Sequence, residues 1–319
     1  MAEIKVSILC MAYNHAPYIK KALDSFLQQK TSFAYEVIIH DDCSTDETAK
    51  IIKEYAQKYP DIIFPLYEKE NKYSKGEKII LNYMYPLAKG KYIALCEGDD
   101  FWTNPNKLQK QFEYMESHEE CSLVSHKAIR VFENGEYHSK YFSGKIPDRP
   151  MEFEESMKYL GAFPTASMFF RKSYYEKNAE YLQTIRSYDY INKTLLFSAG
   201  TLYIIPEIMS AYREAASGSW TTRIAQDSQK YITHLQQSIR SLDSIDQYLE
   251  WKFTKTIKVE ILRRILDIEL IKGNLSVLDD PVYRSCLKLK PYRYRMQMLL
   301  MYKFPQMYKI LKTFKKRSK

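Results

Sequence analysis

Residues 36–48 read EVIIHDDCSTDET, and this stretch decides the fold. Its first five residues are too apolar to leave one face in water, which marks a central parallel strand. Asp41 and Asp42 close that strand. Ser44, with Glu47 three residues on, has capping-box spacing and predicts a helix running to about residue 58. Working outward, residues 5–11 (KVSILCM) form strand one, and residues 17–29 form a helix with Ile19, Leu23, Phe26 and Leu27 at helical spacing. Residues 62–67 are a third strand, 78–88 a helix closed by Gly90, 92–96 a fourth strand and 105–117 a further helix. The alternation predicts an α/β protein, a mostly parallel sheet between helical layers.

After residue 120 the rhythm changes. Residues 121–132 and 136–142 flank Asn134-Gly135, a strong hairpin signal, so the sheet becomes mixed. Residues 165–171 read as a strand, 189–199 as a helix ended by Gly200, and 201–205 as a short strand. From about residue 224 the pattern is helical, including 231–253 and 255–272, with breaks at Gly273-Asn274, Pro281, Pro291 and Pro305. The expected division is an α/β domain over 1–223, in halves 1–120 and 121–223, and a helical region over 224–319.

Of 319 residues, 45% are hydrophobic and 27% charged, a globular composition. The net charge of +9 is local: residues 281–319 hold 12 Lys or Arg and no acid, leaving 36 basic against 39 acidic residues before them. The body is therefore slightly acidic, which argues against nucleic acid as a partner and for a local anionic contact of the tail. Five cysteines without CxxC spacing and six histidines without HxxxH pairing indicate neither a disulfide framework nor a zinc site. The first residues, MAEIK, lack a basic n-region and a cleavage site, so a cytoplasmic protein is expected.

Open α/β sheets bind ligands beyond the carboxyl ends of their strands. Here those ends are Ala12-Tyr13-Asn14, Asp41-Asp42 and Glu97-Gly98-Asp99-Asp100. Carboxylates gathered there make sense if a hard divalent cation, Mn²⁺ or Mg²⁺, neutralises them. Taken singly, the same residues also serve as turn and cap residues. The nine glycines never stand in G-x-G-x-x-G or G-x-x-x-x-G-K spacing, which disfavours a dinucleotide Rossmann site and a P-loop.

The runs VSILCMAYN (6–14), EVIIHDDCSTDET (36–48), AKGKYIALCEGDDFW (88–102) and KLQKQ (107–111) together resemble the family 2 glycosyltransferases. The resemblance continues more loosely through TASMFFRK, Asp189 and Met209–Arg213. It implies a GT-A fold, a three-layer α/β/α sandwich, and an inverting transfer from a nucleotide sugar. Residues 1–120 would bind the donor, with a UDP-sugar favoured, and 121–223 would face the acceptor. Asp42 would accept the uracil N3 hydrogen, Tyr13 would lie against the base, and Ala12 and Asn14 would shape the pocket. Asp99 would contact ribose and Asp100 would hold the cation.

By the same resemblance Asp189 is the base that takes the acceptor's proton, although its position also suits an ordinary N-cap aspartate. Ala215 stands where the family often has His, and Arg213 would compensate by gripping the diphosphate. Trp220 would belong to a flap, or alternatively to the core. Absent membrane spans and a Q-x-x-R-W motif favour a single addition over processive synthesis. The expected acceptor is a glycan or lipid-linked glycan of a surface polysaccharide. The basic tail 281–319 would rest on the anionic inner face of a membrane. A non-catalytic nucleotide-sugar-binding protein and a metal-dependent nucleotidyltransferase are the alternatives.

Overall fold

The computed structural model of the chain describes residues 3–134, 136–141, 146–185, 188–214, 227–290 and 292–304. The chain divides into two compact units, Met1–Thr222 and Arg223–Lys319. Trp220, Ala215, Gly135 and the tail beyond residue 304 lie outside the described residues.

In the first unit, β1 (Ile4–Ala12) is buried through Val6, Ile8, Leu9 and Cys10, as a strand covered on both faces must be. It is followed by α1 (Ile19–Leu27), β2 (Ala34–Asp41), α2 (Thr48–Lys58), β3 (Ile63–Tyr67) and β4 (Tyr92–Leu95). β2 and β4 pair with β1 on opposite sides, both parallel, and β3 pairs parallel with β2. The register aligns Ala12, Asp41 and Tyr67 across three strand ends. Because the chain goes out through β2 and β3 and returns at β4, the switch in strand order opens beyond β1 and β4.

Next come β5 (Phe101–Trp102), α3 (Lys107–Ser117), β6 (Cys121–Val131), β7 (Tyr137–Tyr141), α4 (Phe153–Ser156), β8 (Phe169–Arg171), α5 (Ser173–Thr184), α6 (Tyr188–Ser198) and β9 (Thr201–Arg213). The sheet order is β3-β2-β1-β4-β8-β6-β9-β5, with β7 on β6. β8 is antiparallel to β4 and β6, while β6 and β9 are parallel, so the sheet is mixed as expected. Ile19, Leu23 and Phe26 of α1, Ile52 of α2 and Leu108 and Met115 of α3 form one core with Val6, Ile8 and Cys10.

Four local expectations change. The Ser44–Glu47 capping box does not form: Ser44 Oγ accepts the Asn14 N–H, α2 begins at Thr48, and Asp46 Oδ1 accepts the Thr48 N–H instead. Residues 78–88 do not make one α-helix but a π turn (Ile80–Met84) and a 3₁₀ turn (Tyr85–Leu87), because Pro86 lacks the N–H an α-helix would use there. Only Phe169–Arg171 of the expected 165–171 strand forms a strand, and Thr165–Ser167 is a 3₁₀ turn. There the Ser167 hydroxyl donates to the Pro164 carbonyl and Trp102 Nε1 donates to that of Ala166, diverting groups a ladder would need. β9 is longer than expected: Ile205 pairs with His126 and Ile208 with Lys127, so Pro206 and Glu207 stand in a bulge and the strand continues to Arg213.

The second unit contains α7 (Ser228–Tyr248), α8 (Thr254–Ile271), α9 (Pro281–Lys288) and α10 (Tyr292–Lys303). Asp227 and Asp280 cap α7 and α9 by accepting N–H groups of the first turn. Leu266, Leu278, Cys286, Leu287 and Met298 form its core, with Leu299, Met301 and Tyr302 packed against it. Part of the apolar set expected to face a membrane is thus spent inside the unit. Among the described residues no helix is long and apolar enough to cross a membrane.

Gly90 shows how tightly the sheet is set. A Cβ there would lie 2.5 Å from the Ser7 nitrogen and 2.6 Å from the Val6 carbonyl carbon, both main chain. Its N–H donates to Ser7 Oγ, which itself donates to the buried Glu36 carboxylate. Gly90→Ala should therefore lower the unfolding free energy by about 2–3 kcal/mol in urea denaturation. Gly161→Ala, with nothing within 4 Å of its Cβ, should change it by less than about 1 kcal/mol.

Candidate active site

Two left-handed residues shape the ends of β1 and β2: Asn14 (φ 54°) and Cys43 (φ 63°). Asn tolerates this region and Cys does so at a cost, so the loops must hold it in place. They do. Asn14 Oδ1 accepts the Thr45 N–H at 2.8 Å, His15 N–H donates to Thr48 Oγ1, and Ala16 N–H donates to Asp46 Oδ2. Asn14 is a clasp between loops 12–16 and 42–48, Ala12 is buried, and Tyr13 is left 44% exposed.

Asp42 is buried, and its carboxylate accepts the N–H groups of Lys72 (2.7 Å) and Tyr73 (3.0 Å). It thereby docks the 71–75 turn beside the strand end. Each oxygen keeps a lone pair. Asp41 Oδ2 accepts the Ser44 N–H, while Asp41 Oδ1 and His15 Nδ1 are buried with no hydrogen-bond partner in the described structure. Gly98 makes room for that histidine, since a Cβ there would lie 2.9 Å from His15 Nδ1.

After β4 the carboxylates crowd. Asp100 is 3% exposed, and its Oδ1 accepts the Arg213 N–H at 2.8 Å. Burial, then the Asp99 and Glu97 charges, push its carboxyl well above the ordinary range. Burial, with Asp189 and then Asp99 adding to it, pushes Glu97 up to about 8. Asp189 lies in the first turn of α6. Water reaches it, yet the surrounding wall of protein strips part of its hydration and raises its carboxyl, against the pull of Lys193. Asp189 and Glu97, far apart in sequence, thus face one site.

Arg213 is committed to the main chain around the acidic run. Its Nε donates to the Asp99 carbonyl at 2.9 Å, and Nη1 donates to those of Phe132 (3.1 Å) and Glu133 (2.7 Å). The guanidinium lies 4.5 Å from the Tyr18 ring centre, and the Tyr18 hydroxyl donates to the Glu133 carboxylate. Three of its five N–H groups are spent on main chain, so Arg213 clamps the 97–100 turn to the end of β6. In the sequence analysis Glu97 counts in the acidic run without a role of its own, and Lys193 escapes it. The first stands inside the EGDD run, overshadowed by the aspartate pair; the second is one helical turn beyond Asp189.

Among the described residues no group of three or more His, Cys, Asp or Glu side chains is placed to hold a metal by itself. The chemistry of the site nevertheless fits a hard cation that takes few protein ligands. Asp100 keeps its second oxygen, and the repulsion of neighbouring carboxylates is what a divalent ion relieves.

The sequence profile of the family described as Glycosyl transferase family 2 matches residues 7–176. A protein of Mycobacterium tuberculosis, called uncharacterized, is 35% identical over 219 residues, 67% of this chain and 60% of its own length. WfaP of Escherichia coli, a UDP-Glc:alpha-D-GlcNAc-diphosphoundecaprenol beta-1,3-glucosyltransferase, is 37% identical over 112 residues, 35% of this chain and 41% of that protein. The match thus spans about three fifths of the mycobacterial relative. Among solved structures, Staphylococcus aureus TarS 1–349 in complex with UDP-GlcNAc has a TM-score of 0.61 at 16% identity, over 93% of this chain and 87% of that one. Mannosyltransferase PcManGT of Pyrobaculum calidifontis, in complex with GDP-Man and Mn²⁺, has a TM-score of 0.53 at 17% identity, over 95% and 88%. At such identities the likeness is one of fold, the GT-A arrangement.

The raised Glu97 carboxyl has a pH signature. An unfolded Glu titrates near about 4.3, so between there and about 8 the folded state holds the extra proton. The stability this contributes is present below the lower value and is lost as pH rises through the upper one. The urea midpoint of the metal-free protein should therefore fall between about pH 6 and about pH 8.5, and fall less in Glu97→Gln. An equal fall in both proteins would assign the slope to other groups.

Proposed function

Because the chain belongs to glycosyl transferase family 2, we propose that it moves one sugar, with inversion, from a nucleoside diphosphate sugar to a glycan or lipid-linked acceptor in surface polysaccharide synthesis. The observation that carries this reading is the convergence of Asp189 on α6 with the Glu97–Asp100 run beyond β4, at the switch point of the sheet. A UDP-sugar is the donor of choice, because a pyrimidine suits an exposed ring, Tyr13, next to an acceptor carboxylate, Asp42, with the exposed Tyr73 on the turn that Asp42 holds.

In this reading Tyr13 stacks on the base, Asp42 accepts its ring N–H, and Asp99 accepts ribose hydroxyls. Asp100 holds a Mn²⁺ or Mg²⁺ ion, which when bound offsets the negative charge growing on the departing diphosphate. Asp189 accepts the proton of the acceptor hydroxyl as that oxygen attacks the anomeric carbon from the face opposite the diphosphate. The new C–O bond forms as the old one breaks, and the nucleoside diphosphate leaves with the electron pair. Partial burial raises the Asp189 carboxyl, which brings a base closer to working pH.

Two variants test this. Asp189→Asn should keep affinity for UDP with Mn²⁺ in calorimetry and lower kcat by roughly 10² to 10⁴. Asp100→Asn should lose the Mn²⁺ dependence of UDP binding, since an amide is a poor ligand for a hard cation. Asp189→Asn with normal kcat, or UDP binding indifferent to Mn²⁺ in the unaltered protein, would contradict the assignment.

We further propose that the helical unit rests on the anionic face of a membrane, so that a lipid-linked acceptor is met in two dimensions. Support comes from residues 281–304, which hold no acid: Arg284, Lys288, Arg293, Arg295 and Lys303 stand beside exposed Val282, Leu289, Tyr292, Met296 and Phe304, while Lys290 pairs with Asp267. Each basic residue contributes about 1 kcal/mol near such a surface. The full chain should co-sediment with phosphatidylglycerol vesicles, not with phosphatidylcholine vesicles, and release in high salt. Reversing exposed Lys288, Arg293 and Lys303 to Glu should weaken binding at least about tenfold. Equal binding to both vesicles, or by the reversed protein, would sink the membrane role.

A further inference from the structure

Lys193 has no part in the transfer as described above, yet it is a buried ammonium beside the base. On α6 it follows Asp189 by four residues, which puts the two side chains on one helix face. Its Nζ donates to the Phe163 carbonyl at 2.9 Å and to that of Leu160 at 3.3 Å, and lies 4.5 Å from the Phe163 ring centre. No carboxylate stands within ion-pair distance of it among the described residues, and burial holds it down to about 8. A staple between α6 and the 160–163 turn requires only a donor, which a neutral amide supplies without the cost of a buried charge.

What the charge adds is its field, and the two groups that feel it are Asp189 and Glu97. Lys193 from its own helix is the charge that acts on Asp189, and Asp189 in turn acts, with Asp99, on Glu97 of the turn after β4. From the 78–88 segment Lys78 donates to the Ile185 carbonyl just ahead of the helix. Burial favours the neutral, useless form of a base; Lys193 is the cation that opposes it.

Resting on the reading of Asp189 as base, we propose that Lys193 is a positioning residue for the transfer, its fixed ammonium keeping the Asp189 carboxylate ionised in a site crowded with acids. Lys193→Met fills the same space without the charge, and Lys193→Arg restores the charge. In metal-free protein labelled with ¹³C-aspartate, the Asp189 midpoint, assigned through Asp189→Asn, should rise by about one pH unit in Lys193→Met and return in Lys193→Arg. The acid limb of kcat/KM for hydrolysis of UDP-N-acetylglucosamine with Mn²⁺ should move up with it, while affinity for UDP stays constant. If the Met variant does not fold, Lys193→Gln carries the same comparison. An unmoved midpoint and acid limb would make Lys193 a staple only and overturn the proposal. Full turnover by Asp189→Asn would instead overturn the base assignment, a separate result.

Discussion

Mutual repulsion among Glu97, Asp99, Asp100 and Asp189 is the constraint on which the rest of the site depends. Like charges at low hydration are costly, and two of these groups respond by holding their protons tightly. The fold answers with two buried cations at different depths. Arg213 braces the run from behind, its own N–H on Asp100 and its guanidinium on three main-chain carbonyls. Lys193 stands on the side of α6. Neither cation forms an ion pair with these acids among the described residues, so the negative field is tempered and left open toward solvent, where a metal and a diphosphate would enter.

The sheet makes this arrangement possible. β9 must reach Arg213 for its backbone to meet Asp100, and it does so only because Pro206 and Glu207 are accommodated as a bulge against β6. On the other side of the switch point, the strained residues Asn14 and Cys43 are held by hydrogen bonds between loops 12–16 and 42–48. The same economy of polar groups leaves Tyr13 as the exposed ring at that strand end, and Asp42 as the anchor of the 71–75 turn. The residues proposed for the donor and the acidic run thus meet across β1 and β4, which pair in parallel from Val6 to Leu9.

Much of this was legible in the sequence, for a physical reason. Buried parallel strands announce themselves as apolar runs, and their ends as abrupt changes to Tyr, Asn and Asp, so β1, β2 and β4 and the residues beyond them could be read directly. Side-chain competition for backbone groups could not. Ser44 has perfect spacing for a cap and is used by Asn14 instead; Arg213 has the right chemistry for phosphate and is used by carbonyls. α5, rich in Tyr and Glu with a weak apolar stripe, is stabilised by packing of Tyr174 and Tyr175 on Phe170, which no local pattern reveals. In the tail, Met and aromatic residues at helical spacing suit a membrane face and a core equally, and Met298 proves to be core.

The central claim is that the acidic run beyond β4 is built for a cation carrying a diphosphate. The most direct measurement is calorimetric titration of the metal-free protein with UDP and Mn²⁺ near pH 7, in buffers of different ionisation enthalpy. A cation seated among these carboxylates must displace protons that repulsion now holds, so binding should release about one proton per UDP, and the release should vanish when Mg²⁺ and Mn²⁺ are withheld. Binding of UDP with no proton release, at the same affinity with or without the metal, would contradict it.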